Sequence, residues 1–111
     1  MSAVEMLFLL LAGHALGDFV LQSEVMARGK NRHSSIHLEQ NLNFPPWYYW
    51  LGAHSLVHGG IVYLITGSLT LGVIETLSHW IIDYYKCEEK IGLHSDQILH
   101  LGLKFAYVAA L

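Results

Sequence analysis

HWIIDYYK, residues 79–86, sets an imidazole and a carboxylate four positions apart around the apolar Trp80-Ile81-Ile82. Side chains at i and i+4 share one face of an α-helix, so His79 and Asp83 form a two-toothed chelate. The same spacing recurs at His14 and Asp18, at His54 and His58, and at Asp96 and His100. Each pair falls in its own hydrophobic segment. Four such segments predict an all-α protein, a four-helix bundle whose polar core gathers metal ligands.

Composition says where that bundle belongs. The chain has 111 residues and reads as one domain, 1–111. Hydrophobic residues make up 53% and charged residues 14%, with a mean hydropathy of +0.38. Average soluble domains carry roughly 25% charged residues. This chain is short of the charge that covers a water-facing surface, so an integral membrane protein is expected. Met1–Gln22 has no basic residue ahead of its apolar run, and polar residues interrupt it, so it reads as a retained span rather than a signal peptide. A net charge of −3 gives no reason to expect nucleic acid as a partner. Cys87 is the only cysteine, which excludes an intrachain disulfide and fits a reducing compartment.

The predicted spans are about 4–20, 47–65, 69–85 and 96–111, separated by a polar linker at 22–46. Each is near the short end of the roughly 17–25 residues that cross a bilayer, and polar residues interrupt all of them, so a soluble helical bundle is the alternative. Pro45-Pro46 closes the linker, Thr66-Gly67-Ser68 reads as a tight turn, and Ser95 reads as the N-cap of the last helix. Arg28, Lys30 and Arg32 lie in one linker, and Lys86 and Lys90 in another. The positive-inside rule puts both linkers in the cytoplasm and both termini outside, as in a bacterial inner membrane. Trp47–Trp50, Trp80, Tyr84 and Tyr85 cluster at the same boundary, like an interfacial aromatic belt. All four chelate pairs then fall in the cytoplasmic half.

Burying an Asp at mid-depth costs about 2.5–3.5 kcal/mol. Divalent cations would offset that cost for His14, Asp18, His54, His58, His79, Asp83, Asp96 and His100. Imidazoles with a few carboxylates suit zinc first, with manganese or iron as alternatives, and eight ligands call for two or more ions. Such sites bind water or hydroxide and grip phosphoryl oxygens. Glu75 and Gln22 continue the same faces and are read as catalytic, orienting a water or a ligand, while Lys86 is placed to hold a phosphate. The plainer readings are a Lys86 that snorkels to the interface and a Glu75 at the outer end, close to water. Asp96 near a helix start is also favoured by the helix dipole alone. Lys104, inside the fourth segment, must face a partner or a cavity. His33 and His37 share the spacing but lie in the polar linker.

The motifs GHALGDFVLQ (Gly13–Gln22), HSLVH (His54–His58), HWIIDYYK (His79–Lys86) and DQILH (Asp96–His100) resemble a family of small bacterial and phage membrane proteins, domain of unknown function 3307. That resemblance covers nearly the whole chain and implies a membrane location and a phage or prophage source, with no established activity. More distantly, the chain is similar to all-helical zinc phosphodiesterases and to membrane-bound metal-dependent hydrolases. That likeness implies that His14, Asp18, His79 and Asp83 are ligands, although those enzymes' ligating N-terminal residue is missing here. The expected function is a membrane-embedded, metal-dependent hydrolase of a phosphoester or lipid-linked phosphate. Alternatives are a metal or proton transporter, and a non-catalytic phage membrane protein with a structural polar core. Expected partners are the bilayer, such a substrate and a second copy of the chain, with Gly59-Gly60 as a close-packing surface.

Overall fold

A computed structural model describes residues 1–39 and 43–111, where six α-helices and no strand are found. Helix α1, Ala3–Ala15, starts at Ser2, whose hydroxyl accepts the Glu5 N–H at 3.1 Å. It runs without a break into a π-helical turn, Leu16–Val20, closed by Leu21 N–H on Leu16 O at 2.8 Å. The expected polar linker 22–46 contains two short helices, α2 (Glu24–Gly29) and α3 (Ile36–Glu39), and its residues 40–42 lie outside the described residues. Ser23 caps α2 by accepting the Met26 N–H.

Helix α4, Trp47–Thr66, follows Pro45-Pro46 directly. It ends at Gly67, whose φ of 71° is the left-handed conformation that glycine adopts at little cost. Ser68 then caps α5, Leu69–Cys87, so α4 and α5 form a tight antiparallel hairpin. The last helix, α6, spans Leu93–Ala110 with Gly92 as its N-cap. Ser95 therefore lies inside the helix rather than capping it. The extended backbone of Gly92 lets its carbonyl accept the Asp96 N–H at 3.0 Å, which starts the helix a turn early.

The four long helices pack in a ring, α1 on α4, α4 on α5, α5 on α6 and α6 on α1, with α2 against α4. The hairpin closes most tightly at two glycines, where a Cβ on Gly72 would sit 3.0 Å from Gly59 O. Gly59 is thus used within the chain, which corrects its reading as an external packing surface. Gly60 faces open space.

Two materials fill the ring. Leu10, Val62, Leu71 and Tyr107 form an apolar plug, backed by Met6, Ile65, Leu103 and Val108, at the end holding both termini and the Gly67 turn. The rest of the interior is mainly polar, with Ile36 and Leu51 the buried apolar exceptions: twelve buried polar or charged residues outnumber six buried hydrophobic ones among the described residues. The outward faces are apolar, with Phe8, Phe19, Leu64, Leu77, Ile98 and Phe105 all exposed. This inverts the usual amphipathic helix, in which the apolar stripe faces inward. Among the described residues, one helical stretch, Ala3–Val20, is long and apolar enough to cross a membrane by length and composition. Along α4, α5 and α6, the inward ionisable residues lower the hydropathy of otherwise apolar helices.

Candidate metal centre

Asp18 lies at the middle of the interior polar cluster. The change from α to π winding after Ala15 carries it inward, and such turns are common at functional sites. Its Oδ1 lies 2.9 Å from His58 Nε2, 3.1 Å from His54 Nε2 and 3.4 Å from His79 Nε2. His54 and His58 come from successive turns of α4 and His79 from α5, so three helices meet at one oxygen. One ligand atom from each of Asp18, His54, His58 and His79 lies within 4.8 Å of the other three. All four residues are buried, and His58 Nε2 and both ring nitrogens of His79 make no hydrogen bond. Buried polar atoms are nearly always satisfied, so the unsatisfied Nε2 atoms of His58 and His79 beside one carboxylate oxygen fit a donor set able to hold a metal ion.

The other carboxylate oxygen of Asp18 faces α6. Gln97 Nε2 donates to Asp18 Oδ2 at 2.9 Å and to Asp96 Oδ2 at 3.1 Å, and Gln97 Oε1 meets His14 Nε2 at 2.9 Å. His14 Nε2 is itself 3.4 Å from Asp18 Oδ2, and His100 Nε2 is 3.3 Å from Asp96 Oδ1. A second group of ligand atoms, from Asp18, Asp96 and His100, fits within the same 4.8 Å limit, as does a third from Glu75, His79 and His100. The rings of His58 and His79 stack at 3.7 Å, and those of His79 and His100 at 4.1 Å.

Two buried lysines flank the cluster. Lys30, just past α2, reaches in to Asp83 Oδ2 at 2.6 Å, and His54 Nε2 is 3.6 Å from that oxygen. Lys104 Nζ donates to Glu75 Oε1 at 2.7 Å, while Tyr107 OH donates to Glu75 Oε2 at 2.7 Å. Glu75 Oε1 lies 3.5 Å from His79 Nδ1, the place of a carboxylate that orients a ligating imidazole.

All eight expected ligands are buried in one region, although Asp83 is engaged by Lys30 and belongs to none of the three groups. Glu75 is fully buried, against its reading as a residue close to water, because Lys104 and Tyr107 satisfy it. Gln22 donates to the backbone carbonyl of Asp18 at 3.0 Å and so braces the π turn. Lys86 is half-buried and its side chain makes no hydrogen bond or ion pair among the described residues; the lysines beside the centre are Lys30 and Lys104. His33 bonds Glu88 at 2.7 Å and His37 bonds Gly29 O at 2.8 Å, both away from the centre. The Arg32 hydrogen bond, followed by that of His33, holds the Glu88 carboxyl down at about 2. Sequence reading missed Lys30 and Gln97. Gln97 had one signal, its position beside Asp96 on a helix already assigned a ligand pair.

Fold and site together define a class: an all-helical bundle, apolar outside, around a buried cluster of His and Asp side chains able to hold a metal ion. The chain belongs to the family described as protein of unknown function (DUF3307), whose model matches residues 6–109. Neither a curated protein nor a solved structure matches it.

Proposed function

We propose that this protein is an integral membrane, metal-dependent hydrolase of phosphoesters, with lipid-linked phosphates as the substrate class. One observation carries the proposal: Asp18, His54, His58 and His79 converge from three helices on one buried point with imidazole nitrogens left unsatisfied. Zinc suits that donor set first, and manganese or iron also fits.

The inverted burial supports the membrane. Exposed Phe8, Leu64, Leu77 and Phe105 would face acyl chains, while the backbone of every span is satisfied within its own helix. With 20 residues in α4 and 18 in α6, at about 1.5 Å per residue, the helices match a hydrocarbon core about 30 Å thick. Five of the six Lys and Arg residues lie at the end that holds α2 and the loop between α5 and α6, which supports placing that end in the cytoplasm.

A divalent cation bound here would activate water and stabilise charge on phosphoryl oxygens. The water oxygen would form the new bond to phosphorus while giving up a proton, the ester P–O bond would break, and one proton would pass to the departing oxygen. Asp18 Oδ1 and the imidazoles of His54, His58 and His79 would hold that cation, Glu75 lies 3.5 Å from His79 Nδ1 where it would orient the ring, and Lys30 neutralises Asp83 at the edge of the centre. A transporter needs polar groups at every depth. The polar chain instead stops at the plug of Leu10, Val62 and Leu71.

The test is metal content. Purified in detergent and measured by plasma mass spectrometry, the protein is expected to hold at least one equivalent, lost in His58→Ala and His79→Ala. A screen of phosphodiester and lipid phosphate substrates follows. Metal-free wild-type protein would remove the hydrolase and leave a polar packing cluster.

A further inference from the structure

The buried charges do not balance, and the imbalance is local. The buried carboxylates are Asp18, Glu75, Asp83 and Asp96, and the buried lysines are Lys30 and Lys104. Lys30 pairs with Asp83 and Lys104 with Glu75. Asp18 and Asp96 are left without a lysine or arginine, and they lie side by side, joined only by the neutral amide of Gln97. Beyond that amide the two carboxylates meet only imidazoles, His54, His58, His79 and His14 at Asp18 and His100 at Asp96, and neutral donors are weak compensation for buried ionised carboxylates.

The geometry points to a second cation position, with Asp18 bridging it to the first. Oδ1 of Asp18 serves the ion held by His54, His58 and His79. Oδ2 serves an ion held by Asp96 and His100, with His14 beside it. This inference rests on the metal-centre reading and divides that centre in two. Asp96 supplies an observation of its own: it is 2% exposed, and its Oδ1 has no hydrogen-bond partner although His100 Nε2 is 3.3 Å away. A carboxylate spanning two ions is how hydrolytic pairs are held about 3.5–4 Å apart, gripping both the attacking and the leaving oxygen. Two divalent ions against these two carboxylates also leave net positive charge, which an anionic phosphoryl group would match.

Manganese(II) titrated into metal-stripped protein in detergent tests the division, read by bound metal and by electron paramagnetic resonance. Wild type is expected to take two equivalents and give the exchange-coupled spectrum of a bridged pair. Asp96→Asn and, separately, His100→Gln are expected to halve the stoichiometry and give the spectrum of an isolated ion, with helix content checked by circular dichroism. One equivalent in wild type, lost in His58→Ala and untouched by Asp96→Asn, would overturn the second position and leave the hydrolase reading standing. A coupled pair that survives both α6 substitutions would also overturn it. No metal at all would overturn both readings.

Discussion

The two ends of the bundle solve burial in opposite ways. Around Leu10, Val62, Leu71 and Tyr107 the helices are joined by apolar contact, while around Asp18 they are joined by imidazoles and carboxylates. An apolar plug tolerates small adjustments, because dispersion contacts are many and individually weak. A polar centre does not, because each unpaired group carries its full desolvation penalty. The plug is therefore the part suited to holding helices together, and the centre the part suited to binding. Glu75, Lys104 and Tyr107 are the seam between them: the phenol is part of the plug, and the carboxylate touches His79.

The seam is where the comparison breaks most easily. Lys104→Met removes the cation from a fully buried Glu75, and breaking such a pair costs about 3–5 kcal/mol. A large fall in the denaturation midpoint in detergent is expected, partly restored by adding Glu75→Gln. Within the plug, Leu10→Ala is expected to cost about 2–5 kcal/mol by opening a cavity, with metal stoichiometry unchanged. Loss of metal in that variant would show that the two ends are not separable.

Gly17→Ala strikes the centre instead. A Cβ there would lie 2.6 Å from the His58 ring, and overpacking of this kind costs about 1–3 kcal/mol. Its signature is weakened metal binding beyond the loss of stability, measured by competition with a chelator. The smallest effect belongs to the exposed Glu88 cluster. A carboxyl held at about 2, against a reference of 4.5, contributes stability above pH 4.5 that is lost as pH falls towards 2. Glu88→Gln is expected to flatten that acid limb of the stability curve slightly and to leave metal content alone.

Much of this was legible in the chain because helical periodicity is local. The inward residues of α4, namely 51, 54, 55, 58, 59 and 62, follow the 3.6-residue repeat, so His54 and His58 could be put on one face before any packing was known. The end of α4 at Gly67 was equally readable, since the left-handed turn is glycine's own. The start of α6 was not: Gly92 and Ser95 are both acceptable N-caps, and the choice between them depends on where the preceding loop delivers the chain. The π turn was hidden as well, because no local residue preference marks it.

The sequence by itself determined that four apolar helices each carry a metal-capable pair one turn apart, since that follows from residue spacing and the pitch of the helix. Only the tertiary structure decided which charges are neutralised internally. Lys30 meets Asp83 from 53 residues away, Lys104 meets Glu75 from 29, and Gln97 meets Asp18 from 79. Spacing along a helix says which face a side chain is on. It does not say which of several buried carboxylates a distant lysine will reach, and that choice leaves Asp18 and Asp96 as the buried carboxylates without a lysine partner.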